Sequence, residues 1–78
     1  MPTVLRLLNW RFHFYSDEGM EPPHIHVDTG DRECKYWLEL IRLARSRSIK
    51  PAELRRIETV VFEHQDYFRE KWHEFFHH

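Results

Sequence analysis

The segment Glu21-Pro22-Pro23-His24-Ile25-His26-Val27 places two consecutive prolines directly before an alternating run of histidine and aliphatic residues. Proline followed by proline excludes helix, so His24 and His26 are predicted to begin an extended strand. Side chains alternate along a strand, which points both imidazoles to one face and Ile25 and Val27 to the other. We therefore expect one sheet face to join the core and the other to carry the histidines.

The rest of the chain supplies neighbours for this strand. Strands are predicted at residues 3–8, 11–16, 24–28 and about 33–40, with a polar loop at 17–23 and a tight turn at 29–31. Residues 41–50 show no clean period. From Pro51 to about Phe76 apolar residues recur at helical spacing, with a break expected near Gln65-Asp66, where Asp66 could cap a second helix. The predicted fold is α+β: one domain, residues 1–78, with an antiparallel sheet of about four strands and C-terminal helices packed on one face.

Alternation along the strands assigns residues to the two faces of the sheet. The core face is predicted to carry Leu5, Leu7, Phe12, Phe14, Ile25, Val27, Tyr36, Leu38 and Leu40. The opposite face is predicted to display Arg6, Arg11, His13, Tyr15, His24, His26, Asp28, Lys35, Trp37 and Glu39. Because that second set is mostly polar, we expect it to be solvated or ligand-facing. Cys34 alternates onto the core face and is predicted to be a small core residue.

Composition narrows the class of protein. The chain has 78 residues, a formal net charge of −1 and one cysteine, so no disulfide can form within it. No apolar run approaches the ~18 residues of a membrane span, which predicts a cytoplasmic protein without a membrane partner. Charge is unevenly placed, because six basic residues and one acid lie between Arg42 and Arg56. A basic stripe of this kind can bind phosphate or an acidic partner even on a neutral molecule.

One hypothesis for the histidine face is contact with RNA. Arginine and lysine bind phosphate, and aromatic rings and imidazoles stack on unpaired bases. The residues predicted to bind a nucleic acid or a partner are Arg11, His13, Tyr15, Lys35, Trp37, Arg45 and Arg47. His24 and His26 are the predicted catalytic pair, because an imidazole can act as general acid or base in RNA cleavage without a cofactor or metal. Arg11 or Lys35 would stabilise charge on the phosphate.

Two other hypotheses stay open. His24 and His26 at positions i and i+2 of a strand can share a metal ion, with His13 as a third imidazole if its strand is adjacent and Asp28 or water as the fourth ligand. Alternatively the histidines have no chemistry, and the face is a surface that a protein partner recognises or a purely structural one. No cofactor and no metal ligand is assigned on the sequence alone.

Four blocks of sequence together resemble the short bacterial proteins of domain-of-unknown-function family 4160. They are Met1-Pro2-Thr3, residues 14–27, Lys35-Tyr36-Trp37-Leu38, and the stretch from Glu53 to Trp72. The proline-proline-histidine-x-histidine block is the most specific of these, and Pro22, Pro23, His24 and His26 match it. A fainter, purely architectural likeness is to small RNA-cleaving toxins with a histidine on a sheet beside a helix.

The family resemblance implies a genetic context and no mechanism. Members are typically encoded next to a second small protein, which implies a two-gene module of toxin–antitoxin type. The resemblance therefore predicts a toxin-like protein with a small cognate protein partner, and RNA as a second candidate partner. The alternatives are a non-enzymatic protein-binding module and a metal-binding domain that uses the strand histidines.

Overall fold

The computed structural model describes residues 3–76, which form five strands and two helices. The strands are β1 (Thr3–Leu7), β2 (Trp10–His13), β3 (His24–Thr29), β4 (Arg32–Trp37) and β5 (Arg42–Arg47), and the helices are α1 (Pro51–Glu63) and α2 (Gln65–Phe76). Each strand pairs antiparallel with the next, so the sheet order is β1-β2-β3-β4-β5. The predicted α+β fold is confirmed, although the sheet has five strands where about four were expected.

The turn between β3 and β4 lies where the sequence predicts it. Gly30 has a φ of +67°, a backbone conformation that costs glycine little and that side chains with a Cβ disfavour. This turn sets the β3–β4 register, in which His24 pairs with Trp37 and His26 with Lys35.

Strand β5 lies within residues 41–50, for which the sequence predicts neither helix nor strand. Tyr36 pairs with Leu43 and Lys35 pairs with Arg45, so Ala44 is an extra residue in β5. A bulge of this kind interrupts the two-residue alternation, which removes the sequence signal of a strand. Arginine and serine in place of β-branched residues weaken that signal further.

The core lies between the sheet and the helices. Its buried residues are Trp10, Phe12, Phe14, Ile25, Val27, Cys34, Tyr36, Leu38, Ile49, Ile57, Val61, Phe68 and Trp72. Two predicted core residues are exposed instead: Leu7 ends the edge strand β1, and Leu40 lies in the turn after β4 and is 69% exposed. Cys34 is buried as predicted, and burial raises the pKa of its thiol to about 12.

The helical region breaks at His64, one residue before the predicted position. His64 ends α1 with a φ of −109°, and its backbone N–H still donates to the Val60 carbonyl. Asp66 lies inside the first turn of α2 with a fully exposed side chain, so the expectation that it caps this helix is wrong. The break lets each half follow the sheet, and Ile57 and Val61 of α1 and Phe68 and Trp72 of α2 are buried.

Across residues 3–76, neither helix combines the length and the apolar character that crossing a membrane requires.

Candidate metal centre

The strand register brings the predicted site residues together on one face of the sheet. His13 pairs with His26, and His26 pairs with Lys35, so these three form a row across β2, β3 and β4. His24 and Trp37 form the neighbouring row, with ring centroids 5.7 Å apart. Strand β2 therefore lies beside β3, as the metal hypothesis required.

The expectation that this face is solvated or open to a ligand is wrong at its centre. His13 and His24 are 0% exposed and His26 is 2% exposed. Residues 14–23, which connect β2 to β3, bring Glu18 onto the rings of His24 and His26, and Trp72 of α2 also covers His24, with ring centroids 4.8 Å apart. The Glu18 backbone N–H donates to the Tyr15 carbonyl at 3.3 Å, and the Glu21 N–H donates to the Glu18 carbonyl at 3.1 Å.

The same connection delivers a carboxylate to the two strand histidines. Oε1 of Glu18 lies 2.7 Å from Nε2 of His24 and 2.6 Å from Nε2 of His26. The three potential ligand atoms lie within 4.8 Å of one another. We call Glu18, His24 and His26 the His–Glu cluster. Its donor set of two imidazole nitrogens and one carboxylate oxygen matches protein sites for zinc and related divalent metals.

The hydrogen bonds of His24 orient its second ring nitrogen toward Glu18. Its Nδ1 lies 2.9 Å from the Pro22 carbonyl oxygen, which can only accept a hydrogen bond, so Nδ1 carries a proton. In a neutral ring Nε2 then has only a lone pair, and that lone pair faces the Glu18 carboxylate. Two electron-rich atoms at 2.7 Å must share a proton, and a metal ion held by both atoms would take the place of that proton and move them slightly apart.

The electrostatics of the His–Glu cluster favour the forms of its side chains that bind a metal ion. Burial acts to raise the pKa of Glu18, but the hydrogen bonds with His24 and His26 outweigh it and the pKa is lowered. Burial lowers the pKa of His26, against the opposing effect of Glu18. An ionised carboxylate and a neutral imidazole are the forms that bind metals.

His13 belongs to the surroundings of the cluster and is not one of its three donors. Its ring stacks on that of His26 with centroids 5.6 Å apart. Its Nε2 lies 3.1 Å from Oδ2 of Asp28, but the geometry is unfavourable for a hydrogen bond, and within residues 3–76 neither ring nitrogen has a hydrogen-bond partner. The third donor is thus Glu18, where the sequence suggested His13.

Two aromatic residues predicted to stack on bases contact the histidines instead. Tyr15 meets His26 edge-on with ring centroids 4.5 Å apart. Burial, and then the nearby carboxylate of Glu33, raises the pKa of Tyr15. Trp37 contacts His24, and the Lys35 ammonium lies 4.5 Å from the Trp37 ring centroid and 2.7 Å from Oε1 of Glu21. These side chains close the sides of the cluster.

The predicted basic residues separate into different environments. Arg11 donates to Asp28 at 2.9 Å and to Thr3 at 2.7 Å, so its guanidinium is engaged within the sheet. Arg45 and Arg47 lie on β5 at the far edge and are exposed. The basic stripe therefore does not continue into the His–Glu cluster.

Glu18 is the residue that sequence reasoning missed. It stands six positions before His24 in a polar loop, where an acidic residue is ordinary. The only signal was the double proline after it, which turns the chain back so that the loop lies over the strand it precedes. With the imidazoles buried beneath this loop, RNA reaches them only if residues 14–23 move, and the catalytic role of His24 and His26 in RNA cleavage stays a prediction.

Comparison with known proteins places the chain in a family. The sequence profile of the domain of unknown function DUF4160 matches residues 9–73, and the chain therefore belongs to this family. No curated protein and no solved structure matches it. The family description assigns no activity, so the toxin–antitoxin pairing and the RNA contact stay predictions.

Proposed function

We propose that this member of the DUF4160 family is a metal-binding domain. Glu18, His24 and His26 hold one divalent transition-metal ion of the zinc type. The observation that carries the proposal is the hydrogen bonding of His24. Its Nδ1 donates to the Pro22 carbonyl while its Nε2 faces Glu18. Metal-binding histidines commonly have this arrangement, because a carbonyl that accepts from one ring nitrogen orients the other nitrogen toward the ion.

The donor set favours zinc-type ions over calcium or magnesium. Calcium and magnesium prefer oxygen ligands, whereas two imidazoles and a carboxylate suit zinc and its neighbours in the periodic table. Three protein donors leave a fourth coordination position for water or for a donor atom from another molecule.

A bound ion would fasten residues 14–23 to β3. A chain of this size buries a modest core, and a metal ligated by two segments adds binding free energy to folding. An ion present at 100 times its dissociation constant stabilises the folded state by about 2.7 kcal/mol. In a domain of this size that raises the melting temperature by roughly 10–20 °C.

The test is metal content and melting temperature of protein purified without a metal-affinity column. We expect near-stoichiometric zinc, iron or a related metal, and a melting temperature that falls in EDTA and recovers when Zn²⁺ is added. Glu18→Gln keeps the size of the side chain but replaces a good ligand with a poor one, so it should lose the metal and the response to Zn²⁺. His26→Gln should do the same.

His73→Gln is the matched control, because His73 is exposed on α2 beside residues 19–23 of the same loop and is not one of the three donors. The measurement is repeated on a chain shortened after Phe76, which removes His77 and His78 as alternative ligands. Both control proteins should bind as wild type does. A wild-type protein that carries no metal and melts at the same temperature in EDTA and in Zn²⁺ would overturn the proposal and leave the contact between His24 and Glu18 as a hydrogen bond.

A further inference from the structure

Strand β5 forms one edge of the sheet, and within residues 3–76 no strand pairs with its outer side. Its backbone N–H and C=O groups on that side are available to a further strand. Strand addition is a common way for a folded domain to bind an extended peptide, because the main-chain hydrogen bonds provide affinity and the alternating side chains provide selectivity.

The two faces of β5 differ sharply in chemistry. Arg42, Arg45 and Arg47 pair with Trp37, Lys35 and Glu33, so all three lie on the face opposite the helices, and all three are exposed. Arg45 has a single long ion pair, 3.6 Å to Glu33. For Arg42 and Arg47 the described part of the chain offers no carboxylate within ion-pair distance. This face of the edge is therefore a row of three exposed arginines, of which only Arg45 has an ion pair within residues 3–76.

The helix-side face of the same edge exposes large apolar residues. Leu43 pairs with Tyr36 and is 43% exposed, and Leu40 and Phe62 are 69% and 70% exposed. Leu40 and Phe62 line an open groove of about 700 Å³ between α1 and the turn after β4, together with Ile41 and polar or charged residues that include Arg55 and Glu58. Exposed large apolar residues next to an open strand edge mark an interaction surface.

We propose that β5 binds an extended segment of another protein, in which acidic residues alternate with apolar ones, as a sixth strand. The acidic side chains would face Arg42, Arg45 and Arg47, and the apolar side chains would lie beside Leu43 and the groove. A second copy of this chain does not fit, because antiparallel β5–β5 pairing sets these arginines against one another. Single-stranded RNA would use the arginines but would leave the strand edge and the groove unfilled.

The test uses a fluorescein-labelled peptide that alternates glutamate with leucine. Fluorescence anisotropy should show saturable binding that weakens as salt rises, whereas a peptide that alternates lysine with leucine should not bind. Arg45→Glu with Arg47→Glu should weaken binding roughly tenfold or more, since each reversal replaces an attraction with a repulsion. Arg6→Glu is the matched control on the opposite edge strand β1, where an exposed arginine is reversed and binding should be unchanged.

Hydrogen exchange followed by NMR separates strand addition from simple charge attraction. Bound peptide should slow the exchange of amides in residues 42–47 and leave β1 unaffected. Peptide binding without protection of β5 overturns the proposal, as does an unlabelled single-stranded RNA that displaces the peptide and binds more tightly than it. If the double charge reversal unfolds the chain, Arg45→Gln, which removes charge without adding repulsion, should still weaken binding. These measurements are made in EDTA and again with Zn²⁺, so the result does not depend on the His–Glu cluster.

Discussion

Glu53 is the carboxylate that fastens α1 to the sheet. Its Oε2 accepts from the Trp10 indole N–H at 2.9 Å and from the Thr29 hydroxyl at 2.8 Å, which joins the helix to β2 and β3. It also lies in the first turn of α1, where a negative charge is favourable next to unpaired backbone N–H groups. The hydrogen bonds from Trp10 and Thr29 lower the pKa of Glu53.

A lowered pKa makes stability depend on pH with a definite sign. The contribution of Glu53 is fully present above the pKa of an unfolded glutamate, about 4.3, and is lost as the pH falls through the lower folded pKa. Glu53→Gln should therefore destabilise the protein by about 1 kcal/mol at pH 7, since the charge-assisted hydrogen bonds weaken. The difference in free energy of unfolding between Glu53→Gln and wild type should shrink as the pH falls below about 4.3. Urea unfolding of both proteins at several pH values measures this difference.

Thr29→Val provides the control for this effect. It removes one donor to Glu53 while keeping the shape of a β-branched side chain. In this background, Glu53→Gln should therefore lower the free energy of unfolding by less, and with a weaker pH dependence, than it does in wild type. A constant difference between Glu53→Gln and wild type at every pH would contradict the assignment, because an uncharged contact has no such dependence.

At the scale of elements, the β1–β2 turn stores strain. Leu8 has a φ of +57°, which is a left-handed conformation, and its side chain is 72% exposed. Burial of the side chain therefore does little to offset the cost of this conformation. That conformation costs residues with a Cβ about 1–2 kcal/mol, and glycine avoids most of this at an entropic cost of about 0.5–1 kcal/mol. Leu8→Gly should stabilise the protein by roughly 0.5–1 kcal/mol in urea unfolding.

Leu40→Gly is the matched control for the turn. Leu40 is also an exposed leucine in a turn, but its φ is not positive. Glycine there only adds freedom to the unfolded chain, so this variant should be destabilised. If both substitutions shift stability in the same direction, strain at Leu8 is not the cause.

The sequence predicted a strand or helix correctly where the spacing of its apolar residues stayed constant from end to end. The alternation of β3 and the helical spacing of Ile57, Val61, Phe68 and Trp72 each express one local pattern, and the structure follows both. Strand β5 was not predictable, because the bulge at Ala44 shifts the alternation partway along a short strand. A bulge depends on pairing with β4, which a single segment of sequence does not contain.

At the scale of the whole molecule, the sequence predicted the two histidines of the His–Glu cluster but not its carboxylate. The shared direction of His24 and His26 follows from alternation, which is local. Their burial and the arrival of Glu18 depend on how a ten-residue connection folds over the sheet, which is a tertiary result. Composition indicated a polar face, but a polar face covered by a loop and one open to solvent have the same sequence pattern.

The position of this loop also depends on the last turn of α2. Gly19 lies against the Phe76 ring, and a Cβ at Gly19 would stand 2.6 Å from the ring atom Cδ1. Phe14, which begins the loop, packs against Trp72, Phe75 and Phe76. The loop that carries Glu18 is therefore positioned from one side by the strands and from the other by the end of the helix.

Gly19→Ala should consequently destabilise the fold by about 1–3 kcal/mol, because the added methyl forces the ring or the loop to move. Phe76→Ala should be destabilising on its own through lost packing, yet the double variant should cost less than the sum of the two. A double-mutant cycle measured by urea unfolding gives this coupling. Strict additivity would show that the loop and α2 are independent. A double variant that costs less than the sum, accompanied by weaker Zn²⁺ stabilisation in Gly19→Ala, would show that the helix end helps to hold Glu18 over the two histidines.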